Sequence, residues 1–177
     1  MLAADCIFKE RTEWLMSMVV KRCKKLAFYG VPEVSGDTVT YKFYRMKGFD
    51  DITTSKNPRE YSRQYVDEEF EQTDVVGYNP SVSFGFDRFA GDAVHDDIAD
   101  IFDEEKVGKD AIRPIVMVDT EAAEGNAIKR DFTVVAESEG SGVDLYKYSG
   151  TFRVKGEKIM GTASTDDDWQ TCEFTEA

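Results

Sequence analysis

Thr38-Val-Thr-Tyr-Lys-Phe-Tyr-Arg-Met46 alternates residue by residue, with Val39, Tyr41 and Phe43 on one face and Thr40, Lys42 and Tyr44 on the other. A period of two in β-branched and aromatic residues specifies a half-buried β-strand. Upstream, Leu26-Ala-Phe-Tyr-Gly-Val31 is a short aromatic strand, and Pro32 with Ser35-Gly-Asp37 supplies the punctuation between the two. Downstream the pattern recurs in Ser81-Val-Ser-Phe-Gly-Phe-Asp87, where Val82, Phe84 and Phe86 share a face. Ile112–Asp119 is largely apolar, and its Pro114 predicts a sheet edge or a strand start. Ile128–Ala136 places Ile128, Phe132 and Val134 together, and Leu145–Val154 groups Tyr146, Tyr148, Phe152 and Val154. Gly156-Glu-Lys158 predicts a tight connection, with Ile159–Thr165 returning as the hairpin partner of the preceding strand. Asp166-Asp-Asp168 turns the chain again before Gln170–Phe174.

One helix interrupts this series, from about Asp92 to Glu105. Val94, Ile98, Ile101 and Phe102 form its core-facing stripe, Asp92 suits the N-cap and Gly108 lies just past the end. Many strands, one helix and polar turns predict a mainly β fold, a sandwich or barrel with a single packed α-helix. Two segments break the pattern. Residues 47–64 are polar, carry the breaker Asn57-Pro58 and lack a firm period. A loop of that length inside one domain is functional or mobile, so residues 47–72, with Tyr65–Glu71 as a strand of it, read as an arm that leaves the body. Residues 1–24 read as a separate N-terminal segment, helical or flexible. Trp14, Leu15, Met18 and Val19 fit one face of a short helix; alternatively, translation starts at Met16 or Met18.

The totals bound the function. The 177 residues suit one domain, 25–177 after the N-terminal segment, and 41% hydrophobic residues suit a packed core. Against 22 Lys and Arg stand 35 Asp and Glu, a net charge of −13. So acidic a chain does not hold duplex DNA by its phosphates, although it suits a surface that DNA must slide past. Cys6, Cys23 and Cys172 are scattered and odd in number, against a disulfide framework or zinc site. No apolar run approaches the ~18 residues of a membrane span, and the start carries acids where a signal peptide is basic and apolar.

Candidate chemistry is sparse. His95, the single histidine, lies among Asp92, Asp96, Asp97 and Asp100, but it has no nucleophile with which to form a triad. It reads as incidental on a solvated acidic helix face. Asp166-Asp167-Asp168 lacks the spacing of a calcium loop and reads as an exposed turn. Asp67, Glu68, Glu69 and Glu71 read as an acidic exposed strand rather than a hydrolytic pair across a cleft. No phosphate-binding glycine motif occurs. The expectation is therefore no catalytic residue, cofactor or metal.

One longer stretch carries a resemblance. Gly48-Phe-Asp-Asp-Ile-Thr-Thr-Ser-Lys-Asn-Pro-Arg-Glu-Tyr-Ser-Arg-Gln-Tyr-Val-Asp-Glu-Glu69 resembles the major tail (tail tube) proteins of long, non-contractile phage tails and related prophages in Firmicutes. It continues through Thr73–Pro80, Phe86-Asp-Arg88, Val94-His95, Ala111–Asp119 and Tyr148–Thr162, so it covers roughly residues 25–177. The resemblance implies a virion structural protein of the tail tube type: a two-sheet β-sandwich or barrel with one flanking helix and a long extended loop. It implies hexameric rings that stack into a conduit for DNA. Phe49, Ile52, Asn57, Pro58, Tyr61, Arg63 and Tyr65 would then belong to an arm between rings. The implied partners are further copies of the chain, tail tip and tail terminator proteins, and a tape measure protein in the lumen. Genomic DNA would transit without specific binding, and no membrane would be involved. The implied location is the virion tail, after synthesis in the bacterial cytoplasm. Three other readings remain: the inner tube of a contractile injection machine, which shares the fold; a monomeric ligand-binding β-sandwich; and a small hydrolase or metal enzyme built around His95 or Asp97.

Overall fold

Two adjacent aromatic residues, Phe28 and Tyr29, are both fully buried, yet they face different cores. Successive side chains of a strand point to opposite faces, so a strand buried on both faces must separate two apolar layers. The computed structural model, which describes residues 19–36, 38–122, 126–141 and 143–177, shows how those layers arise. Its strands are β1 (Lys25–Ser35), β2 (Thr38–Arg45), β3 (Phe49–Ser55), β4 (Pro58–Arg63), β5 (Gln72–Tyr78), β6 (Ser81–Asp87), β7 (Ile112–Asp119), β8 (Ala127–Ser141), β9 (Lys147–Val154), β10 (Ile159–Ser164) and β11 (Thr171–Glu176). The helix α1 spans Ala93–Asp103. Residues 1–18, where the N-terminal helix and the alternative start were expected, lie outside the described residues.

Nine strands form one antiparallel sheet in the order β10-β11-β2-β1-β7-β8-β9-β6-β3, and β10 also pairs with β8. That extra pairing closes β1, β7, β8, β10, β11 and β2 on themselves. The long strand β8 makes this possible. Its start, Ala127–Lys129, pairs with β10, while Phe132 to Ser141 pairs with β9. The barrel interior holds Leu26, Phe28, Phe43, Val116, Val118 and Cys172. Burial pushes the Cys172 thiol up to about 12, with the Asp167 carboxylate adding to the rise, so the thiol stays protonated at neutral pH.

The second core lies outside the barrel. There β9, β6 and β3 continue as a flap, and Phe84, Phe86, Phe152 and Tyr148 meet α1 and the outer faces of β1, β7 and β8. Phe84 stacks on Phe152 at 4.2 Å between centroids, and Phe86 stacks on Tyr148 at 5.5 Å. A Cβ on Gly150 would stand 2.4 Å from the Val135 carbonyl and 2.8 Å from the Phe84 ring. Only glycine lets the strands close at that point.

The mainly β fold with one packed helix is the fold observed, but three local expectations need correction. Of the stripe Val39, Tyr41 and Phe43, only Phe43 is buried. The β1–β2 hairpin overruns its neighbours, because β7 pairs with β1 only over Lys25–Tyr29 and β11 meets β2 only at Phe43 and Tyr44. Pro114 lies on neither an edge strand nor a strand start. Strand β7 sits between β1 and β8, yet β1 stops pairing at Ile115, one residue short of the proline, so no donor is missed there. Strand β10 is not the hairpin partner of β9. Both sides of β9 are taken by β8 and β6, and the Lys155 amide donates to the Asp131 carbonyl as the chain leaves toward β8 and β11. At the end of α1 the chain already turns at Glu105, with φ of 48°, and Gly108, with φ of 65°, turns it again three residues further on. The Lys106 amide then donates back to the Ile101 carbonyl and caps the helix.

Candidate assembly surfaces

The strands of the polar segment behave in two ways. Phe49 and Ile52 do not leave the body. They lie on β3, which pairs with β6, and the Phe49 ring is 4.8 Å from Phe86 and 5.5 Å from His95. A bulge between Phe49 and Asp51 turns two residues three apart toward the same core, which is why no period of two was visible. The polar segment therefore divides: β3 belongs to the body, and the element outside the main sheet is the β4–β5 hairpin, residues 58–78, a separate two-stranded sheet.

Asn57 sits at its root with φ of 44°. Its side-chain amide donates to the Asn79 carbonyl at 3.1 Å and to Ser81 Oγ at 3.0 Å, and the Asn79 amide donates to the Asn57 carbonyl at 3.0 Å. Pro58 pairs with Tyr78 just above. Further out, the Arg63 guanidinium lies 4.9 Å from the centroid of the Tyr65 ring and donates to the Tyr61 hydroxyl at 3.3 Å. Residues 65–71, expected as a strand, form the tip instead. Gln64 Nε2 donates to the carbonyls of Glu68 and Glu69, and Gln72 Nε2 donates to Glu68 Oε1 at 2.7 Å. Val66 is fully exposed and Phe70 is 75% exposed. Val75, Val76 and Tyr78 on β5 are exposed as well, and the reading of the sequence left them out of the arm. A signal for them exists: Asn-Pro occurs at 57–58 and again at 79–80, and the two breakers bracket the hairpin.

Two further surfaces are open. Strand β3 is the free edge of the nine-stranded sheet, and beyond Tyr29 the outer half of the β1–β2 hairpin carries exposed Val34, Val39 and Tyr41. Unpaired strand edges are templates for pairing with another chain.

The helix is different. Val94, Ile98, Ile101 and Phe102 are all buried. His95 is not solvated, as expected from its acidic neighbours, but fully buried. Its Nδ1 accepts from the Phe89 amide at 3.1 Å and its Nε2 donates to the Lys47 carbonyl at 2.8 Å, so the ring ties the loop before β3 to the loop before α1. Asp97 is also absent from the solvated face. It receives Arg113 Nε and Nη2 at 2.7 and 2.9 Å, and the Tyr29 hydroxyl at 2.7 Å. Burial, then the Asp97 charge, pushes the Tyr29 phenol well above its ordinary range. Three donors thus hold the carboxylate, two on Oδ2 and one on Oδ1, and fix it between the helix and the sheet.

Asp167 staples its own turn. Its Oδ1 accepts from the amides of Gln170 and Thr171, both at 2.9 Å, and its Oδ2 accepts from the Thr171 hydroxyl at 2.6 Å. Those bonds, led by the Thr171 hydroxyl, hold its carboxyl far below the usual range. Among the described residues no group of three or more His, Cys, Asp or Glu side chains is arranged to hold a metal ion. Nor is any helix of the described residues long and apolar enough to cross a membrane.

Against solved structures the fold has counterparts. A chain from the tail of an empty gene transfer agent particle, determined with C6 symmetry, superposes with a TM-score of 0.58 at 10% identity, over 81% of this chain and 100% of that one. The chain therefore shares its fold with a chain of that tail. A chain from the virion of a native gene transfer agent particle matches with a TM-score of 0.51, again at 10% identity and with the same coverage of both chains. No protein-family model matches the sequence, and no curated protein does. At such identity the fold is shared while most residues differ, so the chemistry of the exposed surfaces has to be read from this chain's own side chains.

Proposed function

We propose that this chain is a non-enzymatic structural subunit of a phage-type tail tube, with rings of six copies stacked into a conduit for DNA. The observation that carries the reading is the β4–β5 hairpin, which projects exposed apolar side chains from a fold shared with a protein of a six-fold symmetric tail. A monomer gains nothing from such a hairpin. It exposes Val66, Phe70 and Tyr78 to water without any core beneath them. In a stack it becomes an inter-ring arm, with Asn57 and Pro58 at its root and Tyr61, Arg63 and Tyr65 along its length. The open edge of β3 and the overrunning β1–β2 hairpin supply head-to-tail pairing surfaces, and such heterologous contacts close into a ring when the rotation suits. The net charge of −13 fits a channel past which phosphates slide. Tail tip, terminator and tape measure proteins are the further partners of this reading, and the virion tail is its location.

Negative-stain electron microscopy of the purified protein at rising concentration tests it. Rings or tubes should appear, and replacing residues 59–77 by a short glycine turn should abolish tubes while leaving the melting curve of the body intact. A chain that remains monomeric at every concentration, with or without a tail-initiating complex, overturns the reading.

A further inference from the structure

We infer that the acidic hairpin tip of one copy docks in a basic cleft of another, so that each chain carries both a plug and its socket. This deepens the tail-tube reading and rests on it.

The cleft, about 530 Å³, lies between the flap strands β3 and β6 and the outer wall of β7 and β8. Its floor is apolar, with Ile52, Ile115, Met117, Ile128 and Phe132. Its rim is not typical of so acidic a protein. Arg22, Lys25, Lys56, Arg130 and Lys158 line it, with Asp119 the single carboxylate. Lys25 is neutralised by Asp119. The other four cations form no ion pair among the described residues.

The hairpin tip is the complement. Val66-Asp-Glu-Glu-Phe-Glu71 presents two apolar side chains among four carboxylates, Asp67, Glu68, Glu69 and Glu71. None of these carboxylates forms an ion pair among the described residues. Among the described residues, four carboxylates without an ion pair around an apolar tip thus match four cations without one around an apolar floor. Two buried side-chain polar atoms lack a partner among the described residues: Arg130 Nε in the cleft and Glu68 Oε2 in the tip. The described residues thus leave one donor and one acceptor without a partner, one on each surface, and orphaned groups are costly.

Geometry assigns the occupant to a different copy. The hairpin is rooted between Lys56 and Pro80, which themselves line the cleft. Its tip stands a six-residue strand further out, about 20 Å at 3.3 Å per residue. A paired hairpin cannot fold back into its own socket. The contact is therefore heterologous, and it propagates from copy to copy.

Charge reversal tests the docking. Glu68→Lys/Glu69→Lys/Glu71→Lys and, separately, Arg22→Glu/Lys56→Glu/Lys158→Glu should each abolish tubes without moving the melting temperature. Both sets in one chain should restore them. A photo-reactive benzophenone residue at position 70 should cross-link, in a mixture of isotopically light and heavy chains, to peptides lining the cleft of another copy. If the cleft variant builds normal tubes while removal of the hairpin abolishes them, the socket is wrong and the tail-tube reading survives. A cross-link confined to residues 1–18 or to another face also overturns the docking. Normal tubes without the hairpin would instead sink the arm itself.

Discussion

The face under α1 and the β4–β5 hairpin are built from the same residue types and end in opposite states. Under the helix the buried His95 and the partly buried Asp97 find partners from their own chain. His95 spends both ring nitrogens on backbone groups, and Asp97 is held by Arg113 and Tyr29. On the hairpin the aromatic and aliphatic side chains stand in water, and the tip carboxylates form no ion pair among the described residues. The first region is finished within one polypeptide. The second is left open by its own described residues, and on the proposed reading this division separates the part of the chain that makes the fold from the part that makes an assembly.

Substitutions break the comparison at graded strength. Ile98→Asp buries an unpaired carboxylate under the helix and should cost about 5 kcal/mol or more, enough to unfold the domain. A thermal melt indistinguishable from the parent would show that the helix stripe is not core. Arg113→Ala strips the charge partner from Asp97, whose pair is only 7% and 12% exposed, and should cost about 3–5 kcal/mol by denaturant titration. Recovery by a second change, Asp97→Asn, would confirm that the stranded charge is the cause.

Asp167 is an intermediate case, a surface turn that its own chain completes. Its folded pKa is depressed, so its stabilisation is present above the unfolded value near ~4 and fades as pH falls through the folded range. Asp167→Asn should lower stability at pH 7 and flatten the loss of stability below about pH 4. Parallel pH profiles for parent and variant would remove the staple from the account. The smallest stability effect belongs to the hairpin. Phe70→Ser should change the unfolding free energy by no more than about 0.5 kcal/mol. The same variant should still lose tubes in electron micrographs. A large stability loss from it would mean the tip packs on its own body.

Ser81–Asp87 is legible because the pleat fixes which face each residue takes and strands pair with it on both sides, and the helix stripe through Ile98 because its 3.6-residue period does the same; Val39 and Tyr41 alternate as cleanly but overrun their neighbours. Phe49 and Ile52 were misread as arm because a bulge breaks the period, and Val75, Val76 and Tyr78 were missed because an exposed hairpin has no buried face to imprint a pattern. His95 was read as solvated from its acidic neighbours, since a sequence does not show the carbonyl of Lys47 arriving from 48 residues away.

By itself the sequence determined the strand-rich class, the single capped helix, the acidic surface and the absence of catalytic motifs, since each follows from local propensity or composition. Only the tertiary structure decided that β8 is shared between a closed barrel and an open flap. It also decided that a separate hairpin begins at residue 58 and that a cleft rimmed by cations forms at its root. Those features depend on long-range pairing, whose partners are chosen by whichever edges remain free once the local strands have formed.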